Sequence, residues 1–193
     1  AVSIGRPPGA PLGPFVGRDR ELRELTDLMR RVIEDGHGRL VSVTGMAGIG
    51  KSRLIEELGS WVDALDAPIA WHDGRSPAYG EGIAFAAVAE MVRRRIRVDE
   101  GSPPEIARRQ LGAALEEFVA DESERRWIEP RLATLLERGE SGPFDRDELF
   151  AAWRRFFERV ADRMPVVLAF EDFQWAEPDL IDFVDHLSAW TRN

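Results

Sequence analysis

The sequence predicts an α/β fold: a parallel sheet covered by helices in three layers, with a long helical insertion. Three observations predict it. Two short apolar runs, Leu40–Thr44 and Val166–Phe170, read as strands, the second suited to burial on both faces. Each leads into a turn and then a segment of helical periodicity. Between them, residues 76–143 repeat apolar side chains at helical spacing over a length far beyond the dozen or so residues a crossover needs.

Taken in order, residues 1–14 hold Pro7, Pro8, Pro11 and Pro14 and read as a linker without a core, implying a domain upstream. Asp19 is placed to cap a helix reaching about Ile33, with Leu22, Leu25, Leu28, Met29, Val32 and Ile33 at helical spacing and Gly36 and Gly38 ending it. Leu40–Thr44 is the first strand. Lys51–Asp63 follows as a helix with Leu54, Ile55, Leu58, Trp61 and Val62 on one face. A second strand falls within Pro68–Gly74, at about 69–73. Helical periods at Ile83–Ile96, Ile106–Phe118 and Arg125–Leu136 build the insertion, broken by Gly101, Pro103, Pro104 and Pro130. Asp147–Met164 is the strongest amphipathic helix, with Leu149, Phe150, Trp153, Phe156, Phe157, Val160 and Met164 as a core stripe. Pro165 ends it, Val166–Phe170 is the third strand, and Pro178 opens a last helix that turns Leu180, Ile181, Val184, Leu187 and Trp190 inward.

The chemistry is concentrated in two places. Gly45, Met46, Ala47, Gly48, Ile49, Gly50, Lys51 and Ser52 read G-x-x-x-x-G-K-S, the pattern of a phosphate-binding loop, and lie between a strand and a helix as that loop requires. Lys51 is the only lysine among 26 basic residues, so an ammonium rather than a guanidinium is kept at this position. Glycines let the backbone N–H groups turn inward around a phosphate, and the following helix directs its positive end at the anion. Lys51 would reach the β- and γ-phosphates, and the Ser52 hydroxyl would take a place on Mg²⁺. The second place is the end of the third strand, where Glu171 and Asp172 follow Phe170. Glu171 is the expected Mg²⁺ ligand and Asp172 the group that polarises the attacking water.

Composition excludes several other classes. The net charge of −9 speaks against a nucleic-acid surface. Local arginine runs such as Arg93-Arg94-Arg95 read as solvated helix faces. No cysteine is present, so disulfide and thiolate chemistry are excluded. No apolar run is long enough for a membrane span, and no signal pattern opens the chain, which reads as cytoplasmic. His37, His72 and His186 are too scattered for a zinc site.

Four segments carry a family resemblance: Phe15-Val16-Gly17-Arg18-Asp19-Arg20-Glu21-Leu22, GMAGIGKSRL at 45–54, PAYGEGIAF at 77–85 and PVVLAFEDFQWAEPDL at 165–180. Together they resemble the AAA-like, STAND-type P-loop ATPase modules of large bacterial signalling proteins. Those that follow class III adenylyl/guanylyl cyclase domains are most similar, then those that precede LuxR-type DNA-binding domains. The resemblance implies a Mg²⁺-dependent ATP/ADP-binding switch with slow hydrolysis that regulates an attached effector. Hydrolysis by these residues alone would be weak or absent. It implies that Phe15, Val16, Gly17 and Arg18 lie against the adenine, with the backbone of Val16 reading its edge, and that Arg53 joins the loop in holding the nucleotide. A hydrophobic staple before the Asp19 helix is the alternative for Phe15–Arg18. Partners implied are nucleotide, other domains of the same polypeptide and a homo-oligomer, with no membrane and no direct nucleic acid. The family sheet runs 5-1-4-3-2, so residues 15–193 would be the N-terminal part of the domain. The sheet would be incomplete, with strands 4 and 5 beyond and a slot between strands 1 and 3. Three departures stand out: Gln174 where His is common, Glu177 where Asp precedes the proline, and an acid pair ordered Glu-Asp rather than Asp-Glu. The last leaves the base one methylene short. The rival reading is a non-hydrolysing nucleotide-binding or scaffold module.

Overall fold

The computed structural model describes residues 15–78, 84–136 and 143–190. Among these the order is α1 (Asp19–Asp35), α2 (Lys51–Asp63), β1 (Ala70–Arg75), α3 (Ala86–Ile96), α4 (Pro104–Phe118), α5 (Glu122–Leu136), α6 (Arg146–Ala161), β2 (Val166–Glu171) and α7 (Pro178–Trp190), with a 3₁₀ turn at Phe173–Trp175. The predicted linker at 1–14 and Tyr79 lie outside the described residues.

β1 and β2 form a parallel pair in register from Ala70 opposite Val166 to Arg75 opposite Glu171. Strand side chains alternate between faces, so each strand feeds two cores. Trp71, Val167 and Ala169 pack with Met29 of α1 and Leu58 and Val62 of α2. Ala70, Val166, Leu168 and Phe170 pack on the opposite face with the helices of the insertion and with α6 and α7. The sheet is therefore sandwiched between two helical layers, as expected, but it has only two strands among the described residues. These correspond to the predicted strands 2 and 3, which the family order makes neighbours.

α6 anchors the larger core. Trp153 meets Phe85 with ring centroids 4.8 Å apart, and Phe150 meets Phe183 at 5.1 Å. Both are edge-to-face contacts, favoured because the positive ring edge meets the negative face. The Trp153 indole N–H donates to the Arg131 carbonyl at 2.9 Å, so burying it leaves no polar cost. Asp145 caps this helix by accepting from the Glu148 N–H at 2.8 Å.

The structure corrects four expectations. Leu40–Thr44 is not a strand; Leu40 and Val41 are 62% and 44% exposed. Apolar side chains give this run a face to bury, but a strand also needs a partner for its N–H and C=O groups, and among the described residues this run pairs with neither β1 nor β2. Asp19 is the first residue of α1 rather than its cap; Arg18 holds the cap position, without a side-chain cap hydrogen bond. Asp19 helps only through its charge at the positive helix end. Pro130 lies inside α5 and does not break it. Its exposed position lets water reach the carbonyl it cannot bond. On α7, Ile181 is 42% exposed, while Phe183, unassigned in the sequence reading, is fully buried.

Candidate functional site

The loop between residue 44 and α2 has the backbone its sequence calls for. Gly48 and Gly50 have φ of 75° and 94°, values that a side chain would resist. Gly50 occupies the cap position of α2, so Lys51 and Ser52 begin the helix at its positive end. The Lys51 ammonium folds back and donates to the carbonyls of Gly45 at 2.9 Å and Met46 at 3.1 Å. Two neutral carbonyls on an exposed loop are exchangeable partners for a cation that prefers an anion. Met46, Ala47 and Ile49 line the same loop, with Met46 80% exposed. The α2 helix itself is fixed from below by Leu58 and Val62 in the smaller core, and Leu54 beside them is buried too.

Arg18 sits beside this loop. A Cβ added to Gly50 would lie 3.9 Å from the Arg18 Nε, so the Arg18 side chain runs along the loop. Gly17 takes a φ of 84°, and Val16 is 80% exposed. Phe15 is half-buried. Arg53 at the start of α2 pairs with Glu57 one turn on.

Glu171 ends β2, half-buried, and Asp172 follows in the left-handed region with φ 53° and ψ 36°. Asp tolerates that conformation better than most side chains, and such residues concentrate where geometry serves function. Both acids are held by one arginine. Arg75 Nη2 donates to Glu171 Oε2 at 2.9 Å, and Arg75 Nε lies 3.2 Å from Asp172 Oδ2. The Glu171 hydrogen bond, then the surrounding carboxylate charge, raises the Arg75 pKa above its ordinary value. Gln174 Nε2 donates to the other oxygen of Asp172 at 3.3 Å. The side chain that replaces the usual His therefore touches the candidate base.

The structure thus brings Arg18 to the loop, and Glu171 to Asp172. Among the described residues no hydrogen bond or ion pair joins Lys51 or Ser52 to either acid. The donor set suits a magnesium nucleotide: an ammonium and a hydroxyl at a helix start, and two carboxylates at a strand end. Mg²⁺ takes one or two carboxylates plus phosphate oxygens, and among the described residues no larger acid–histidine cluster competes for it. Arg75 escaped the sequence reading. Its signal was the register: with the second and third strands adjacent, the arginine closing one stands opposite the glutamate closing the other.

A family model described as "AAA ATPase domain" matches residues 14–191. The chain is 33% identical over 78 residues to the AAA+ ATPase ClpV1 of Pseudomonas aeruginosa, covering 40% of this chain and 8% of that protein. It is 25% identical over 192 residues to the uncharacterized protein R02095 of Rhizobium meliloti, covering 89% of this chain and 17% of that protein. The chain therefore spans less than a fifth of either relative. No solved structure matches it.

Proposed function

The chain belongs to the AAA ATPase domain family, and from that premise we propose that it is a Mg²⁺-ATP/ADP-binding switch. The observation that carries this reading is the loop, where Lys51 rests on the Gly45 and Met46 carbonyls at the start of α2. Lys51 would exchange those carbonyls for the β- and γ-phosphates, Ser52 and Glu171 would hold the metal, and Arg18 with Phe15–Gly17 would flank the base. Bound Mg²⁺ would neutralise phosphate charge and polarise the terminal phosphoryl group. Residues Gly45–Arg53 would supply the backbone and side-chain donors around the phosphates.

In this reading hydrolysis is slow, because Asp172 is one methylene shorter than the usual base and Gln174 holds one of its oxygens. An attached effector, such as a nucleotide cyclase or a transcription regulator, reads the nucleotide state. Calorimetry with ADP and Mg²⁺ tests the binding step. Lys51→Ala should weaken affinity by about tenfold or more, the scale of a lost charge-assisted phosphate contact. The circular dichroism spectrum should be unchanged. Equal affinity in variant and parent would overturn the reading. The non-hydrolysing alternative is favoured by the same short, Gln174-held acid; it predicts nucleotide binding with no turnover at all. In a longer protein carrying the effector, Lys51→Ala should uncouple effector activity from nucleotide.

A further inference from the structure

Arg75 has no part in nucleotide binding as described above, yet it makes the most specific contacts at the acid pair. It closes β1 directly opposite Glu171 in the register. Its guanidinium meets Glu171 at 2.9 Å and Asp172 at 3.2 Å. Its root is fixed separately: the Arg75 backbone N–H donates to Glu90 Oε2 at 3.0 Å. Glu90 in turn pairs with Arg94 on α3, and Arg94 also pairs with Asp73 of β1. The main chain is therefore tied to the helical insertion, while the Arg75 side chain is 64% exposed and, among the described residues, held only by the two acids.

We propose that Arg75 is the resident counter-ion of the acid pair: it occupies the cation position at Glu171 and Asp172 and must be displaced when Mg²⁺ arrives with nucleotide. This rests on the assignment of those acids to Mg²⁺. The physics is competition between two cations for the same carboxylate oxygens. Without metal, the guanidinium offsets half the charge of two acids that would otherwise repel incoming phosphates more strongly. With metal, Glu171 exchanges the guanidinium for the ion, and Asp172 is released from one of its two partners. Arg75 is a positioning residue, acting through the acids. Because Glu90 holds its backbone, a shift of α3 would reach the acids through it, which links the helical insertion to the nucleotide site.

Metal affinity tests this independently of turnover. Free Mn²⁺ is counted by electron paramagnetic resonance while the nucleotide-free chain is titrated. Arg75→Ala should bind Mn²⁺ about three- to tenfold more tightly than the parent, the scale expected when a pair of partly exposed ion pairs stops competing. Arg75→Lys keeps a cation and should stay close to the parent. Arg75→Ala combined with Glu171→Gln should lose the gain. Circular dichroism confirms folding, and Arg75→Gln replaces the alanine variant if that one does not fold. Mn²⁺ affinity that is unchanged or weaker in the folded variant would overturn the proposal. ADP calorimetry on the parent separates the two readings. If ADP fails to bind but the Mn²⁺ gain persists, the nucleotide reading fails and the counter-ion role stands. If ADP binds and the gain is absent, the counter-ion role fails alone.

Discussion

At the scale of single residues, candidates that rest on side-chain type could be named from the sequence, whereas the contacts between them could not. Lys51 and the acids announce themselves because few roles need an ammonium after glycines or two carboxylates after a buried strand. The holding of Asp172 by Arg75 and Gln174 required the register and the turn. It has a consequence for turnover. With Asp172 one methylene short and Gln174 still on one of its oxygens after Arg75 is displaced, multiple-turnover ATP hydrolysis by this chain should be barely measurable, and Asp172→Asn should change it little. Fast turnover that the substitution abolishes would contradict this. His72 poses a different problem. Strand alternation puts it on the insertion side of β1, fully buried, edge-on to Phe157 at 5.6 Å, with neither ring nitrogen hydrogen-bonded. Burial first, and the nearby Arg95 charge second, push its pKa down from 6.5 to about 3. The folded state thus keeps His72 neutral while the unfolded state protonates it below 6.5. Between pH 6.5 and 3 the unfolded chain binds the extra proton, so stability falls as pH falls. Urea unfolding at pH 7 and pH 5 should show the parent losing about 2 kcal/mol more than His72→Phe across that interval. Identical losses would show that His72 does not carry the acid sensitivity.

At the scale of elements, periodicity located every described helix to within a few residues. It erred where an element's existence depends on a partner. Val166–Phe170 became a strand because β1 lies beside it; Leu40–Thr44, also rich in strand formers but carrying Ser42 and Thr44, did not. Glycines divide in the same way between those set by contact and those set by propensity. At Gly74 in β1, an added Cβ would fall 2.1 Å from the Ala87 carbonyl oxygen of α3, backbone that cannot rotate away. Gly74→Ala must force strand and helix apart and should cost about 1–3 kcal/mol or more, as overpacking does. It would also shift Arg75, the next residue. Gly112, inside α4, is the counterexample. Its added Cβ would meet only the Glu129 Oε1 at 3.9 Å. Gly112→Ala should therefore stabilise the helix by about 0.5–1 kcal/mol. Thermal melts of both variants check the pair. Gly74→Ala melting with the parent would mean that α3 does not press on β1 as described.

At the scale of the whole molecule, the sheet is asymmetric. β2 is covered on both faces by helices, yet among the described residues only its β1 edge is hydrogen-bonded. Ala70 N–H donates to the Pro165 carbonyl at 2.9 Å and Ser76 N–H to the Glu171 carbonyl at 3.1 Å, which fixes the ladder's phase. In a parallel ladder alternate residues point their backbone groups to alternate edges. The amides of Val167 and Ala169 therefore face β1, and those of Val166, Leu168 and Phe170 face the open edge. Leu40 and Val41 supply exposed apolar surface without an edge of their own. An open edge and an exposed apolar run are the two ingredients of strand addition. Hydrogen exchange at two protein concentrations separates the possibilities. At low concentration, the amides of Val166, Leu168 and Phe170 should exchange much faster than those of Val167 and Ala169, despite equal burial. At high concentration, protection of the fast set should rise as chains associate, and Leu40→Glu with Val41→Lys should suppress that rise if this run is what the chains share. Equal protection of both sets at low concentration would mean that another part of the same chain already pairs with β2, and the sheet would then be closed on the side described as open.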